Sequence, residues 1–277
     1  MAHAVRDHDA PESLVRRDFA SPPVTEVVLS VALQPLALGV TDLVDLWRRY
    51  FQKTFPSVEE QPPFTMPIEA LGIGARAGLS FELSAMPPSP RLWFLDSDKA
   101  HLIQLQRDFI AFNWRRVDNG TDYPRYSRMR EAFSNAIRRL ESYASDLGLG
   151  SLTPTQAEIS YFNHIEVDAN SRLSSILKVV RDTTISDKLL PEAERLLLDY
   201  PIIRDGALRG RLHVASEPVI RRSDMSPIVS LTITVRGLPY PANIDGILAF
   251  LDDGSDIAVQ AFVDLTTEDM HRKWGME

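Results

Sequence analysis

The chain has no cysteine among its 277 residues. This absence excludes disulfide bonds, thiolate metal sites and cysteine nucleophiles. No apolar run approaches the roughly 20 residues needed to cross a bilayer. Residues 1–19 alternate charged and small side chains and lack the apolar core of a secretory signal. We therefore expect a cytoplasmic protein with a flexible N-terminal lead and no membrane insertion.

The common short motifs of catalysis and nucleotide binding are also missing. The sequence has no GxGxxG, no P-loop, no HExxH and no GxSxG. Gly72, Gly74 and Gly78 lie in a loop-like stretch without the strand–glycine–helix context that phosphate binding requires. We accordingly predict no cofactor, no metal and no catalytic residue.

The composition is that of an ordinary globular protein, with 44% hydrophobic and 25% charged residues. The formal net charge is -8. Proteins that bind many nucleic-acid phosphates usually carry a basic surface. The overall charge therefore argues against general nucleic-acid binding, but it leaves room for a local basic patch.

Hydrophobic periodicity predicts an α+β fold with an antiparallel sheet and helices packed on one face. Its two halves, residues 20–150 and 151–277, share the order strand, helix, strand, strand, helix. In the first half these are strand 26–33, helix 41–54, an acidic loop at 57–67, strands within 91–114 with a bulge or a bend near 107–109, and a helix from 124. In the second half they are strand 155–167, helix 190–198, strands 210–220 and 228–237, and a helix from 243 that Gly254 interrupts or bends. The halves form either one continuous domain or two domains divided near 148–154.

Five motifs stand in a fixed order in the first part of the chain. They are SPPVTEVVLSV (21–31), RLWF (91–94), LIQLQRDFIAFNWR (102–115), YPRY (123–126) and SYFNHI (160–165). In this order they resemble an uncharacterised, sporadically distributed bacterial protein family, over roughly residues 18–166. The resemblance implies no activity, cofactor or catalytic residue. It does imply an accessory role on mobile or defence-related genetic islands.

Aromatic and arginine side chains concentrate around residues 113–128. Trp and Tyr offer large contact areas at low entropy cost, and Arg offers forked donors, so the group is typical of protein-binding hot spots. The predicted partner-binding residues are Asn113, Trp114, Arg115, Tyr123, Tyr126 and Arg128. In the alternative interpretation, Trp114 fills the junction between sheet and helix, Asn113 bonds turn backbone, and the arginines are solvated or paired with Asp118 and Asp122.

The stretch 107–139 holds eight arginines against four acidic residues. With Trp114, Tyr123 and Tyr126 interleaved, it could bind single-stranded nucleic acid by stacking and phosphate contacts. The alternative is an ordinary exposed helix face. Because the stretch contains no lysine and no known nucleic-acid motif, we keep nucleic-acid binding as the second hypothesis.

Two further polar groups follow the period of a strand. Gln104 and Gln106, with Asp108, are expected on one strand face, which is either solvated or a floor for a ligand or partner strand. His164 and Glu166 share a face at i and i+2 and could act as acid and base or bind a metal with ligands from elsewhere. The alternative for His164 is a hydrogen bond to a neighbouring loop.

Taken together, these patterns favour a non-enzymatic accessory or adaptor protein that binds a protein partner. The alternatives are a nucleic-acid-binding factor that uses residues 107–139, and a hydrolytic enzyme centred on His164 and Glu166. Homo-oligomerisation is left open.

Overall fold

A computed structural model describes residues 18–71, 90–117, 122–168, 171–181, 185–186, 191–222 and 224–276. The predicted N-terminal lead, apart from its last two residues, and the glycine-bearing stretch at 72–78 lie outside the described residues. Within the described ranges, no helix is both long enough and apolar enough to cross a membrane.

Nine strands of the described chain form one antiparallel sheet in the order β2-β3-β4-β5-β1-β6-β9-β8-β7. The strands are β1 (Val24–Leu33), β2 (Ser57–Gln61), β3 (Arg91–Leu95), β4 (His101–Gln106), β5 (Phe109–Arg115), β6 (Pro154–Glu166), β7 (Leu196–Arg204), β8 (Ala207–Ile220) and β9 (Pro227–Gly237). The predicted α+β class and antiparallel sheet are confirmed.

Two long helices pack on the same face of this sheet. The helices are α1 (Val40–Leu46, continued by a π-helical turn at Trp47–Phe51), α2 (Arg125–Asp146), α3 (Leu173–Ile176), α4 (Ile244–Leu265) and α5 (Glu268–Trp274). Helix α2 lies on β1 and β5, and α4 lies on β6 and β9. Because strand side chains alternate between faces, every second residue of these strands is buried under a helix.

The two halves of the chain are related in topology and share one sheet. Strands β1 and β6 pair at the centre, and each is flanked by the last strand of its own half, β5 or β9. A long helix follows that last strand in both halves. A continuous sheet therefore joins the halves, which was one of the two predicted arrangements.

The predicted order of elements within each half is not found. Residues 57–61, predicted as loop, form edge strand β2, and part of the predicted helix at 190–198 begins edge strand β7. Edge strands pair on one side only, so their residues are half exposed and their alternation is weak. Pairing with β3 and β8 overrides the local preference of these sequences.

For two smaller features, one of the two predicted alternatives is not found. The bulge or bend expected near 107–109 is a two-residue turn, which separates β4 from β5 and makes them a hairpin. Gly254 does not interrupt α4, which runs through it for 22 residues. A Cβ at Gly254 would lie 2.9 Å from Cγ2 of Ile159, so the glycine lets the helix approach the sheet closely.

Candidate functional site

A wide groove lies at the end of the sheet where β1 begins and β5 and β6 end. We call it the end groove, and its volume is about 1150 Å³. Its lining brings Arg115 and Tyr123, predicted for partner binding, together with His164 and Glu166, predicted as a polar site. The rest of its lining comes from Ala20, Ser21, Pro22, Pro23, Thr25, Glu26, Arg116, Val117, Asp122, Arg125, Phe162, Arg221, Lys273 and Trp274.

Three basic side chains of the end groove have no carboxylate partner among the described residues. Arg115 Nε donates to the Lys99 carbonyl at 2.7 Å, and Arg116 Nη2 donates to the Pro22 carbonyl at 3.3 Å. Lys273 Nζ donates to the Glu166 carbonyl at 3.2 Å. A carbonyl bond does not neutralise the charge of a cation, and both Arg116 and Lys273 are exposed, whereas Arg115 also lies near enough to Glu26 for their charges to interact.

The acidic side chains of the end groove offset only part of its positive charge. Five basic and three acidic residues line it, so the formal charge of the lining is +2. The carboxylate of Glu166 is held by Arg221, at 3.1 Å. Burial raises the pKa of Glu26, although a hydrogen bond from Asn113 and the nearby charge of Arg115 act against that rise. The groove is thus a basic region on an acidic protein.

Asn113 and Gln104 belong to a hydrogen-bonded chain on the sheet face opposite the helices. Asn113 Nδ2 donates to Glu26 Oε1 at 2.7 Å, and Gln104 Nε2 donates to Asn113 Oδ1 at 2.8 Å. Gln104 Oε1 in turn accepts from Arg91 and from the Trp93 indole. Both amides are nearly fully buried, so they position Glu26 rather than face a partner.

Gln106 binds a segment of its own chain. Residues 62–71, which we call the strap, cross the sheet face opposite the helices. Gln106 accepts from the Phe64 amide and donates to the Phe64 carbonyl, and Gln156 does the same with Glu69 and Pro67. The two glutamines thus bond the strap backbone as a neighbouring strand would.

The strap ends in a charged cluster on β8 and β9. The Glu69 side chain is only 5% exposed, and it is bound by Arg211 and by His213 Nε2 at 2.7 Å. His213 Nδ1 lies 2.6 Å from Asp199, and Arg236 lies 4.0 Å from Glu69. These contacts tie the strap to the second half of the sheet.

The six residues predicted for partner binding do not form one surface. Trp114 is fully buried under the helices, next to the ring of Tyr123. Tyr126 is also buried; burial raises its pKa, as does its hydrogen bond to Asp252. Arg115 is half-buried and Arg128 is exposed, so these two and Tyr123 keep access to a partner.

The arginines of 107–139 are distributed over several contacts. Arg130 makes two hydrogen bonds to Asp252, and Arg138 pairs with Asp245, so both link α2 to α4. Arg139 donates to the Tyr50 carbonyl. The stretch therefore does not present its positive charge as one continuous face.

His164 and Glu166 lie in the same groove but do not bond to each other in the described structure. Burial lowers the pKa of His164, and the nearby charge of Arg221 adds to that effect. Glu166 is engaged by Arg221 instead. Among the described residues, no cluster of three or more histidine and acidic side chains could hold a metal ion.

Reasoning from sequence missed Glu26, Arg221 and Lys273 as parts of this site. Each stands in a different segment, and no spacing links them to Arg115 or His164. A charged residue inside the β-branched run of β1 was the one available signal, because it marks a strand face that is not fully apolar.

A scan against protein-family models found no match to the chain, and a search of curated proteins found none either. The candidate site is therefore argued from the residues of this chain alone. The resemblance noted from its motifs stays a prediction.

Proposed function

We propose that this is a non-enzymatic accessory or adaptor protein, and that the end groove binds an acidic segment of a partner protein. The observation that carries the proposal is the set of three cations, Arg115, Arg116 and Lys273, whose hydrogen bonds within the described residues go to backbone carbonyls. Uncompensated charge on one side of an interface favours a partner of the opposite charge, and it accelerates encounter.

The size of the groove supports a polymer segment as the ligand. Small-molecule sites typically have volumes of roughly 300–1,000 Å³ and enclose most of the ligand. The end groove is larger, at about 1150 Å³, and its lining is more polar than apolar in character. An extended peptide with several carboxylates would span the distance between cations that come from β5 and α5.

A protein partner is favoured over single-stranded nucleic acid because the aromatic rings of the groove are little exposed. Nucleic-acid grooves stack bases on exposed rings. In the end groove, Trp274 is 5% exposed, Phe162 is half-buried, and the half-buried ring of Tyr123 lies against Trp114. None of these three rings is exposed, whereas the cations Arg116 and Lys273 are.

The test uses two charge-reversal variants with the same net charge. The first carries Arg116→Glu and Lys273→Glu in the end groove. The control carries Arg48→Glu and Lys53→Glu, two exposed cations outside the groove lining. Fluorescence anisotropy would follow binding of an oligo-glutamate peptide and of an oligo-thymidine of equal length.

We expect wild type and the control to bind the peptide, and the groove variant to bind it about tenfold more weakly, since each of the two reversals changes an exposed pair by about 0.7 kcal/mol. Stronger binding of the oligo-thymidine, lost in the groove variant, would replace the proposal by the nucleic-acid alternative. Equal loss in both variants, or no binding of either probe by the wild type, would refute a role for the groove.

A further inference from the structure

A second cavity lies on the face of the sheet that the helices cover, under α2 and α4. Its volume is about 240 Å³. Rings and aliphatic side chains form its walls, among them Phe19, Tyr161, Ile233 and Phe262. A dry apolar cavity of about 150 Å³ can hold a benzene ring. This cavity therefore has room for a molecule of one or two rings.

One wall residue is polar where the strand pattern calls for an apolar one. Asn163 lies on the helix side of β6, between the buried residues Tyr161 and Ile165, and it is only 4% exposed. Its Nδ2 donates to the Leu231 carbonyl at 3.0 Å, which sets the orientation of the amide. No hydrogen bond to its Oδ1 is found in the part of the chain that the structure describes, and this oxygen is not one of the fully buried atoms without a partner. Because Asn163 lines the cavity, the acceptor is open to it and can accept from a bound donor.

Several other polar groups of the wall bond to protein groups. The hydroxyl of Tyr161 lies 2.9 Å from Ser255 Oγ, and the hydroxyl of Tyr126 donates to Asp252. At the mouth, the guanidinium of Arg125 pairs with Asp18 and donates to the Phe19 carbonyl. The cavity thus offers ring faces, the Asn163 acceptor and the exposed hydroxyl of Ser127.

The backbone at the mouth is strained. Arg125 has φ 67°, which places a non-glycine residue in the left-handed region at the start of α2. Such conformations persist where the surrounding structure holds them, and they cluster at ligand sites. This one places the Arg125 side chain over Asp18, beside the cavity.

We propose that the cavity binds a small, neutral aromatic molecule that donates one hydrogen bond to Asn163 Oδ1. The ring lies among the aromatic and aliphatic side chains of β6, α2 and α4. The donor is a hydroxyl or a ring N–H. The cavity adjoins the end groove, since Pro22, Tyr123 and Arg125 line both, but the proposed ligand contacts are on β6, α2 and α4 and do not include the groove cations Arg116 and Lys273.

The test compares indole with indene, which have nearly the same shape and differ in the N–H donor. Isothermal titration of the full chain would measure both dissociation constants. We expect indole to bind roughly fivefold to tenfold more tightly, the value of one neutral hydrogen bond. In Asn163→Leu the dissociation constants of indole and indene should be about equal, since the acceptor is gone.

A second pair of variants on α4 locates the site and does not depend on Asn163→Leu folding. Ala258 lines the cavity and is 2% exposed, so Ala258→Leu fills it and should abolish binding. Ala261→Leu makes the same change outside the lining and should leave binding intact. Indole binding that survives Ala258→Leu, equal binding of indole and indene by the wild type, or binding of neither compound would overturn the proposal.

Discussion

The contact that fastens the strap to the sheet predicts a large loss of stability for one substitution, Glu69→Ala. The Glu69 side chain is 5% exposed, whereas the side chains of Arg211 and His213 that bind it are 19% and 22% exposed. Removing one partner of a buried ion pair costs about 3–5 kcal/mol, because the other charge stays buried and unpaired. Since both partners keep some contact with water, we expect about 3 kcal/mol, the lower end of that range.

The matched control is Glu59→Ala on the same sheet face. Glu59 is 43% exposed, and its carboxylate lies 3.8 Å from Lys99 Nζ, so its loss should cost less than about 1 kcal/mol. Urea unfolding followed by circular dichroism would measure both free energies. Hydrogen exchange at the backbone amide of residue 69, which donates to Gln156, would detect release of the strap without unfolding of the sheet. Equal unfolding free energies and unchanged exchange in the two variants would show that the charged cluster does not hold the strap.

Two further predictions concern Trp114 of β5 and Glu26 of β1, which lie on opposite faces of the sheet. Trp114→Ala should lower the free energy of unfolding by about 3–5 kcal/mol, because the ring is fully buried, and a loss below about 1 kcal/mol in urea unfolding would contradict its place in the core. Glu26→Gln should be more stable than wild type at about pH 7 and equal to it at about pH 4. Burial raises the pKa of Glu26 in the folded state above 4.5, so the ionised carboxylate destabilises the wild type at neutral pH, and this cost disappears as the pH falls. Unfolding free energies of both proteins across this range would check it, and a difference independent of pH would be the contrary result.

Long, strongly periodic segments were predictable from the sequence. The strands β6, β8 and β9 and the helices α2 and α4 were expected within a few residues of their observed bounds. Each of these elements buries one face against the core, and burial imposes a regular spacing of apolar residues. The edge strands β2 and β7 were missed because they bury much less.

The candidate site was less predictable than the fold. Arg115 and His164 were each singled out, but the groove that joins them depends on β1 lying between β5 and β6. The cations of the groove come from segments up to 158 positions apart, such as Arg115 and Lys273. The spacing of residues within one segment gives no information about contacts between segments so far apart in the chain.

The sequence by itself determined the α+β class, the absence of thiol chemistry and the long amphipathic elements, because these depend on composition and on the spacing of nearby residues. Tertiary structure alone decided which face of each strand the helices cover. Asn113, Trp114 and Arg115 are consecutive, yet Trp114 lies in the core under the helices while its neighbours lie on the opposite face. Alternation separates neighbouring side chains, but only the packing of α2 on β5 settles which of them stays accessible to a partner.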